Sequence, residues 1–139
     1  MTRDEANTIV RRYSRHIGAR TGALNEANLA GFDWPDGQLY FEYVPEDQAL
    51  VCRAKVFMPD QPLHPRVMPS LEAAVLAGED TGGGALELHE PSGGIFLTRT
   101  YADGAVPFEQ VRDELDRLAM AGETWNRETF RKILSRPVN

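Results

Sequence analysis

The sequence predicts an α+β domain, a twisted antiparallel sheet of five strands with three helices in the chain order α-β-β-β-α-β-β-α. Apolar residues recur at three- and four-residue spacing in three separate stretches, near the start, the middle and the end of the chain. Between them lie runs in which apolar and polar side chains alternate, bounded by Pro, Asp and Gly turn signals. These strand-like runs come in consecutive groups and do not alternate with helices, which points away from a parallel βαβ arrangement.

Each element has its own local reason. Thr2 and Glu5 stand at capping-box spacing, so the first helix starts there. Ala6, Ile9, Val10, Tyr13 and Ile17 form its apolar stripe, and Gly18 and Gly22 mark its end. "NLAGFDW" supplies a first strand, closed by Pro35-Asp36-Gly37. In "QLYFEYV", Leu39, Phe41 and Tyr43 share one face, and Tyr40, Glu42 and Val44 the other. After the turn Pro45–Gln48, "ALVCRAKVF" sets Leu50, Cys52, Ala54 and Val56 against Val51, Arg53, Lys55 and Phe57. The proline-rich "MPDQPLHPRVMP" crosses to a second helix over about 66–77, with Val67, Leu71, Ala74, Val75 and Leu76 as its apolar positions and Gly78 at its end. "ALELHE" and "IFLTRTY" form two more strands joined by Pro91-Ser92-Gly93-Gly94. Pro107 opens the last helix, whose stripe runs through Phe108, Val111, Leu115, Leu118 and Trp125. Gly122 is expected to bend or break it, with Phe130, Ile133 and Leu134 continuing the stripe beyond.

The chain length of 139 residues suits one domain, 1–139, with a core large enough to need no staples. No segment approaches the ~18 apolar residues of a membrane span. "MTRDEANTIVRRYSRH" lacks the apolar centre of a signal peptide. Cys52 is the single cysteine, so no internal disulfide can form and a reducing compartment fits. A cytoplasmic location is the expectation. The net charge of −6 argues against nucleic acid as a partner, because phosphate contact needs a basic face. Basic residues do gather in the first helix at Arg11, Arg12, Arg15, His16 and Arg20. A solvated helix face is the first reading of that cluster, and a patch for an anion or an acidic partner the second.

Chemistry was sought in the glycine-rich stretch "AGEDTGGGALELHEPSGGIFL". A phosphate-binding P-loop needs a lysine after its last glycine and a helix beyond. Here a strand follows Gly82-Gly83-Gly84, and Glu79, Asp80, Glu87 and Glu90 flank it, so the glycines read as tight reversals. Glu87 and His89 share a strand face but make too few ligands for a structural zinc site, and His16 and His64 belong to other elements. Cys52 lies mid-strand among apolar neighbours, as an inert buried thiol does. No G-x-S-x-G elbow and no placed carboxylate pair is present. The reading is of a non-catalytic chain with no cofactor and no metal. What remains is apolar surface: Leu29, Phe32, Trp34, Leu39, Phe41 and Tyr43 early, Leu86, Leu88, Ile95, Phe96 and Leu97 late. Any one of these fills a core. Together they exceed what three helices cover on two faces of a five-stranded sheet, and a leftover face needs another subunit or a bound chain.

Three stretches carry a family resemblance: "LNEANLAGFDWPDGQLYFEYVPEDQALVCRAKV", "PSLEAAVLAGEDTGGGALELHEPSGGIFLTRTY" and "VPFEQVRDELDRLAMAGETW". In order and spacing they resemble the class I chaperones of bacterial type III secretion, the Tir chaperone or CesT family, from about Asp4 to Leu134. The second stretch, with helix 2, glycine loop, hairpin and outgoing strand, is the most specific. Many members carry an Ala-Asn pair near the end of helix 2, where this chain reads Leu76-Ala77-Gly78. The resemblance implies a cytosolic homodimer that uses no nucleotide and binds the N-terminal segment of a secreted effector in extended form. It implies a dimer interface at Leu71, Ala74, Val75, Leu86 and Leu88. It implies partner-binding residues at Ile9, Tyr13, Leu29, Phe32, Leu39 and Phe41. Two other readings stay open. One is a regulatory protein-binding module of the YbjN type with the same fold and no part in secretion. The other is a small-molecule enzyme with a pocket under helix 3 that uses His89 or Glu87.

Overall fold

A computed structural model describes residues 1–20 and 22–136. Its first helix, α1 (Arg3–His16), begins as the sequence dictates. The Thr2 hydroxyl accepts the Glu5 amide at 3.1 Å, and the Glu5 carboxylate accepts the Thr2 amide at 2.8 Å. Two otherwise orphaned donors are thereby satisfied. Ala6, Ile9, Val10 and Tyr13 are buried along one side.

Five strands follow in two groups: β1 (Leu29–Trp34), β2 (Gly37–Val44) and β3 (Ala49–Phe57), then β4 (Ala85–His89) and β5 (Gly94–Tyr101). They form one sheet in the order β1-β2-β3-β5-β4, antiparallel throughout, so β1 and β4 are its edges. Register sorts the side chains onto two faces, because residues directly opposite one another point the same way. Phe41 stands opposite Cys52 and Ala30, Tyr43 opposite Leu50, Ala54 opposite Leu97, and Leu97 opposite Leu86. On this inner face Leu39, Phe41, Tyr43, Leu50, Cys52, Ala54, Val56, Ile95 and Leu97 are all buried. The alternation read in β2 and β3 therefore holds, with one exception. Between Lys55 and Phe57 the β3–β5 register slips. This irregularity turns Phe57 onto the inner face, away from Arg53 and Lys55, and its ring stacks on Phe130 with centroids 4.4 Å apart.

The helices cover that inner face. Helix α2 (Val67–Leu76) is preceded by Arg66 and buries Val67, Leu71 and Ala74. Helix α3 (Phe108–Thr124) packs on β2, β3 and β5 and buries Val111, Leu115, Leu118 and Ala119. Gly122 neither bends nor breaks it. It lies inside α3 at the closest approach to the sheet, where any added Cβ would collide with the Ala54 Cβ. The irregularity comes three residues later, as a π-helical turn over Trp125–Thr129 in which the Phe130 amide bonds the Trp125 carbonyl, five residues back. The chain then continues as α4 (Phe130–Leu134), against which α2 packs. Trp125 is buried, and its indole nitrogen donates to the Asp80 carbonyl at 2.8 Å, tying the helix to the glycine loop.

That loop is structural throughout. The Gly82 amide donates to the Asp80 carboxylate at 2.8 Å, and the Gly84 amide to the Thr81 carbonyl at 3.1 Å. Gly82 has φ +62° and presses against the Arg117 carbonyl of α3, leaving no room for a Cβ. A residue must combine left-handed backbone with no side chain to sit there, and only glycine does both without strain.

Candidate functional site

With α1 and α3 packed on one face, the other face of the sheet is left to solvent. Along β1 to β5 its side chains are Leu29, Gly31 and Asp33; Gln38, Tyr40 and Glu42; Val51, Arg53 and Lys55; Ala85 and Glu87; and Phe96 and Thr98, placed by the same register. Leu29 is 45% exposed and Tyr40 36%. Phe96, by contrast, is 5% exposed although no helix covers it. Its ring is enclosed edge-on by Tyr40 at 6.2 Å and His89 at 5.9 Å, and Met58 flanks it from the segment after β3.

These residues line a groove of about 640 Å³ that crosses the sheet from Asn25, Leu29 and Gly31 at the β1 edge to His89, Pro91 and Ser92 at the β4–β5 turn. An ionic ladder on the same sheet face runs from the groove toward β4. Arg53 donates to Glu42 at 2.8 Å and to Glu87 at 2.7 Å, and Thr98 donates to Glu87 at 3.0 Å. Burial alone would raise the Glu87 carboxyl, but the Arg53 hydrogen bond and charge outweigh it and hold the group below its ordinary range. Desolvation pulls Arg53 down, and its two carboxylates more than restore it. Partial burial, then the nearby Asp33 charge, raises the Tyr40 phenol. A compensated ion pair beside apolar side chains is rigid and offers no free charge. Gly31 matters for shape: a Cβ there would crowd the Tyr40 ring, so glycine keeps the groove open beside β1.

A second cleft of about 630 Å³ lies at the opposite side, between the end of α1, the β1–β2 turn and α3. There Asp116 accepts the Tyr13 hydroxyl at 2.7 Å and stands 2.9 Å from His16 Nε2. Desolvation first, then the Asp116 bond and charge, push the Tyr13 phenol far up, so it stays a neutral donor. This cluster locks α1 to α3. It presents no nucleophile beside a base. Cys52 is fully buried and its thiol is raised by desolvation, which removes it from nucleophilic chemistry. His89 and Glu87 do not lie under α3, as the enzyme reading required. Both face the open side, where His89 Nδ1 meets the Ser92 hydroxyl at 2.8 Å and Glu87 is held by Arg53. Among the described residues, no three His, Cys, Asp or Glu side chains stand close enough to hold a metal ion. No described helix is long and apolar enough to cross a membrane.

The residues named for partner binding separate into two populations. Leu29 alone is on the open face. Ile9, Tyr13, Leu39 and Phe41 are buried in the core on the helix-covered side of the sheet, and Phe32 is half-buried against Phe41 with ring centroids 5.8 Å apart. The residues named for a dimer interface divide likewise. Leu71 and Ala74 are buried in the chain's own core, Val75 and Leu86 are partly buried, and Leu88 is 36% exposed at the β4 edge. Leu76, beside them in sequence, is 90% exposed. Sequence reasoning did not single out Tyr40, Arg53, Met58 or Phe96 for the groove. Parity could have found Tyr40 and Arg53, since both share the face opposite Leu39 and Cys52. Phe96 follows by the same parity from Ile95 and Leu97, whereas Met58 depends on where the chain turns after β3, for which the sequence carries no periodic signal.

No protein-family model matches the chain, and no curated protein matches it in sequence. Solved structures do match it in shape. A chain of the ExsC–ExsE complex superposes over 92% of this chain and 96% of its own length, with a TM-score of 0.68 and 18% identity. A chain of the HopA1–SchA chaperone–effector complex does so over 88% and 93%, with a TM-score of 0.62 and 12% identity. At such identities the likeness is one of fold, and it spans nearly the whole of each chain. The architecture implied by the sequence resemblance is the one observed: this chain has the α+β fold of the class I secretion-chaperone type.

Proposed function

We propose that this chain is a non-catalytic, cytoplasmic chaperone that binds the N-terminal segment of a secreted effector in extended form and keeps it competent for export. The observation that carries the reading is the uncovered sheet face. A groove with Leu29, Tyr40 and Met58 on its walls and Phe96 at its base adjoins an edge strand, β1. An extended segment can lay alternate side chains into such a groove, and an edge strand offers backbone pairing beside it. In this reading Leu29 touches the client directly. Ile9, Tyr13, Phe32, Leu39 and Phe41 form the packed layer that holds the β1–β2 surface in shape. The likeness to chains from the ExsC–ExsE complex and from a chaperone–effector complex supports the choice.

The same proposal includes a homodimer through α2 and the β4 edge, where Val75, Leu86 and Leu88 are joined by Leu76. A leucine almost fully in water at the end of a helix and a leucine about one-third exposed on an edge strand are surface that self-association can remove from solvent. The test is co-purification from the native host, followed by truncation of whatever protein is retained. Retention through an N-terminal segment, by a chain running at twice the monomer mass, is the expected result. A lone monomer that retains no secreted protein overturns the proposal.

A further inference from the structure

The first helix carries a charge pattern that neither the core nor the groove explains. No Asp or Glu occurs between Glu5 and Glu26, a stretch that contains Arg11, Arg12, Arg15 and Arg20. The chain as a whole has a charge of −6. Helical spacing sets Arg11, Arg12 and Arg15 on the side of α1 opposite the buried Ala6, Val10 and Tyr13, and all three are exposed. Among the described residues none of the three has a carboxylate within ion-pair distance, a state shared with Arg3, Arg20, Arg66, Arg117 and Arg131, but only here do three such arginines fall within one helical turn and a half. Arg11 and Arg15 stand at i,i+4 and Arg12 and Arg15 at i,i+3, spacings at which like charges repel. The helix dipole favours Arg15 in the last turn, but Arg11 and Arg12 lie a turn earlier, beyond much of its reach.

One of the three is also pre-positioned. The Arg12 guanidinium lies 4.3 Å above the Phe108 ring centroid, a stacked arrangement that fixes its donors without consuming them. Phe108 is half-buried and, with Thr8, Ile9 and Val106, lines a cleft of about 190 Å³ beside the stripe, at whose far end the Glu5 carboxylate is engaged by the Thr2 amide.

We infer that this face of α1 docks an acidic segment of a partner polypeptide, with carboxylates on Arg11, Arg12 and Arg15 and one apolar side chain in the cleft beside Phe108. Charge complementarity selects the class of partner. From Arg11 to Arg15 the stripe is only about 6 Å long, enough for two or three carboxylates. A nucleic acid or an anionic membrane is a continuous polyanion, and it would meet the chain's net negative charge as soon as it extended past the stripe. A short acidic segment feels only the local field, because screening confines exposed charges to about 8 Å at physiological salt. The inference does not rest on the sheet groove, which lies across the molecule from α1.

The experiment is a titration followed by fluorescence anisotropy. The probe is a fluorescein-labelled peptide in which glutamate pairs alternate with single phenylalanines. The comparison ligands are the same peptide with lysine for glutamate, a single-stranded DNA and phosphatidylserine vesicles. The glutamate peptide binds, more weakly as salt rises, and the lysine peptide does not. Arg11→Glu with Arg15→Glu lowers its affinity about tenfold with an unchanged circular dichroism spectrum. Arg11→Gln with Arg15→Gln lowers it by a smaller factor, and Leu29→Ala leaves it unchanged. Equal binding by the charge-reversed variant, absence of binding by the unaltered chain, or preference for the DNA or the vesicles would overturn the inference.

Discussion

Replacing Leu29 and Tyr40 together by alanine probes the groove, because both side chains line it and keep a third to a half of their surface in water. Leu29 is 45% exposed and Tyr40 36%, so a client that covers them removes that remaining area from water. Full burial of such a side chain is worth about 1.5–3 kcal/mol, and a third to a half of it is about 1 kcal/mol for each residue. The double variant should lose about 2 kcal/mol of binding, roughly 30-fold in Kd. Its stability should fall by a similar amount, because more than half of each side chain is already buried in the free chain and Tyr40 also gives up its edge contact with Phe96. The assay is isothermal titration of the chain with the N-terminal segment of the co-purified partner, alongside a thermal melt of both proteins. A Kd within about twofold of the unaltered chain, measured well below both melting temperatures, refutes the placement of the client on this face.

Leu71→Glu should unfold the chain, at a cost of about 4 kcal/mol or more, because Leu71 is buried in the core; Leu76→Glu should leave the melt unchanged and halve the mass seen by light scattering if α2 forms the dimer contact. Gly82→Ala should cost about 2–3 kcal/mol in urea unfolding, since left-handed strain adds to collision with the Arg117 carbonyl, whereas Gly78→Ala, at φ +108° in open space, should cost about 1 kcal/mol. The Glu87 carboxyl is held below its ordinary value near 4.5, so its contribution to stability is complete above that pH and is lost as pH falls through the folded-state value; Glu87→Gln should flatten that part of the acid limb in urea titrations. Cys52 should react with a thiol reagent only at the rate of global unfolding, and fast labelling of the native chain would contradict its burial.

Much of the fold was legible because local chemistry and tertiary packing agree. Thr2 and Glu5 could announce α1 since both partners of the capping box lie within one turn. Leu39, Phe41 and Tyr43 against Leu50, Cys52, Ala54 and Val56 could announce the core face since strand parity is strict. Phe57 escaped that logic because a slip in register reverses parity, and nothing local to "AKVF" marks it. Gly122 misled for the opposite reason. Glycine is a poor helix former, yet here the missing side chain lets α3 approach Ala54, and packing outweighs propensity. For the site, the residues inherited from family resemblance were mostly those of the apolar stripes, and a stripe that attaches a helix to a sheet is consumed by that contact. Leu29 and Phe32 were placed together although three residues apart on one strand, which sets them on opposite faces. The open face itself was foreseeable from the number of helices. Its groove was not, because Met58, His89 and Phe96 meet only through the turns that follow β3 and β4.

The wide turn at Trp125–Thr129 has an evolutionary consequence. A π turn holds one residue more than a regular helix would, so regularising it with its full complement of residues would rotate everything downstream by about 100°. Phe130 would swing off Phe57, and Ile133 would leave the interior. A reading frame that loses a single codon in this turn should therefore keep Phe130 and Ile133 facing the interior on a regular helix, whereas one that loses two should not.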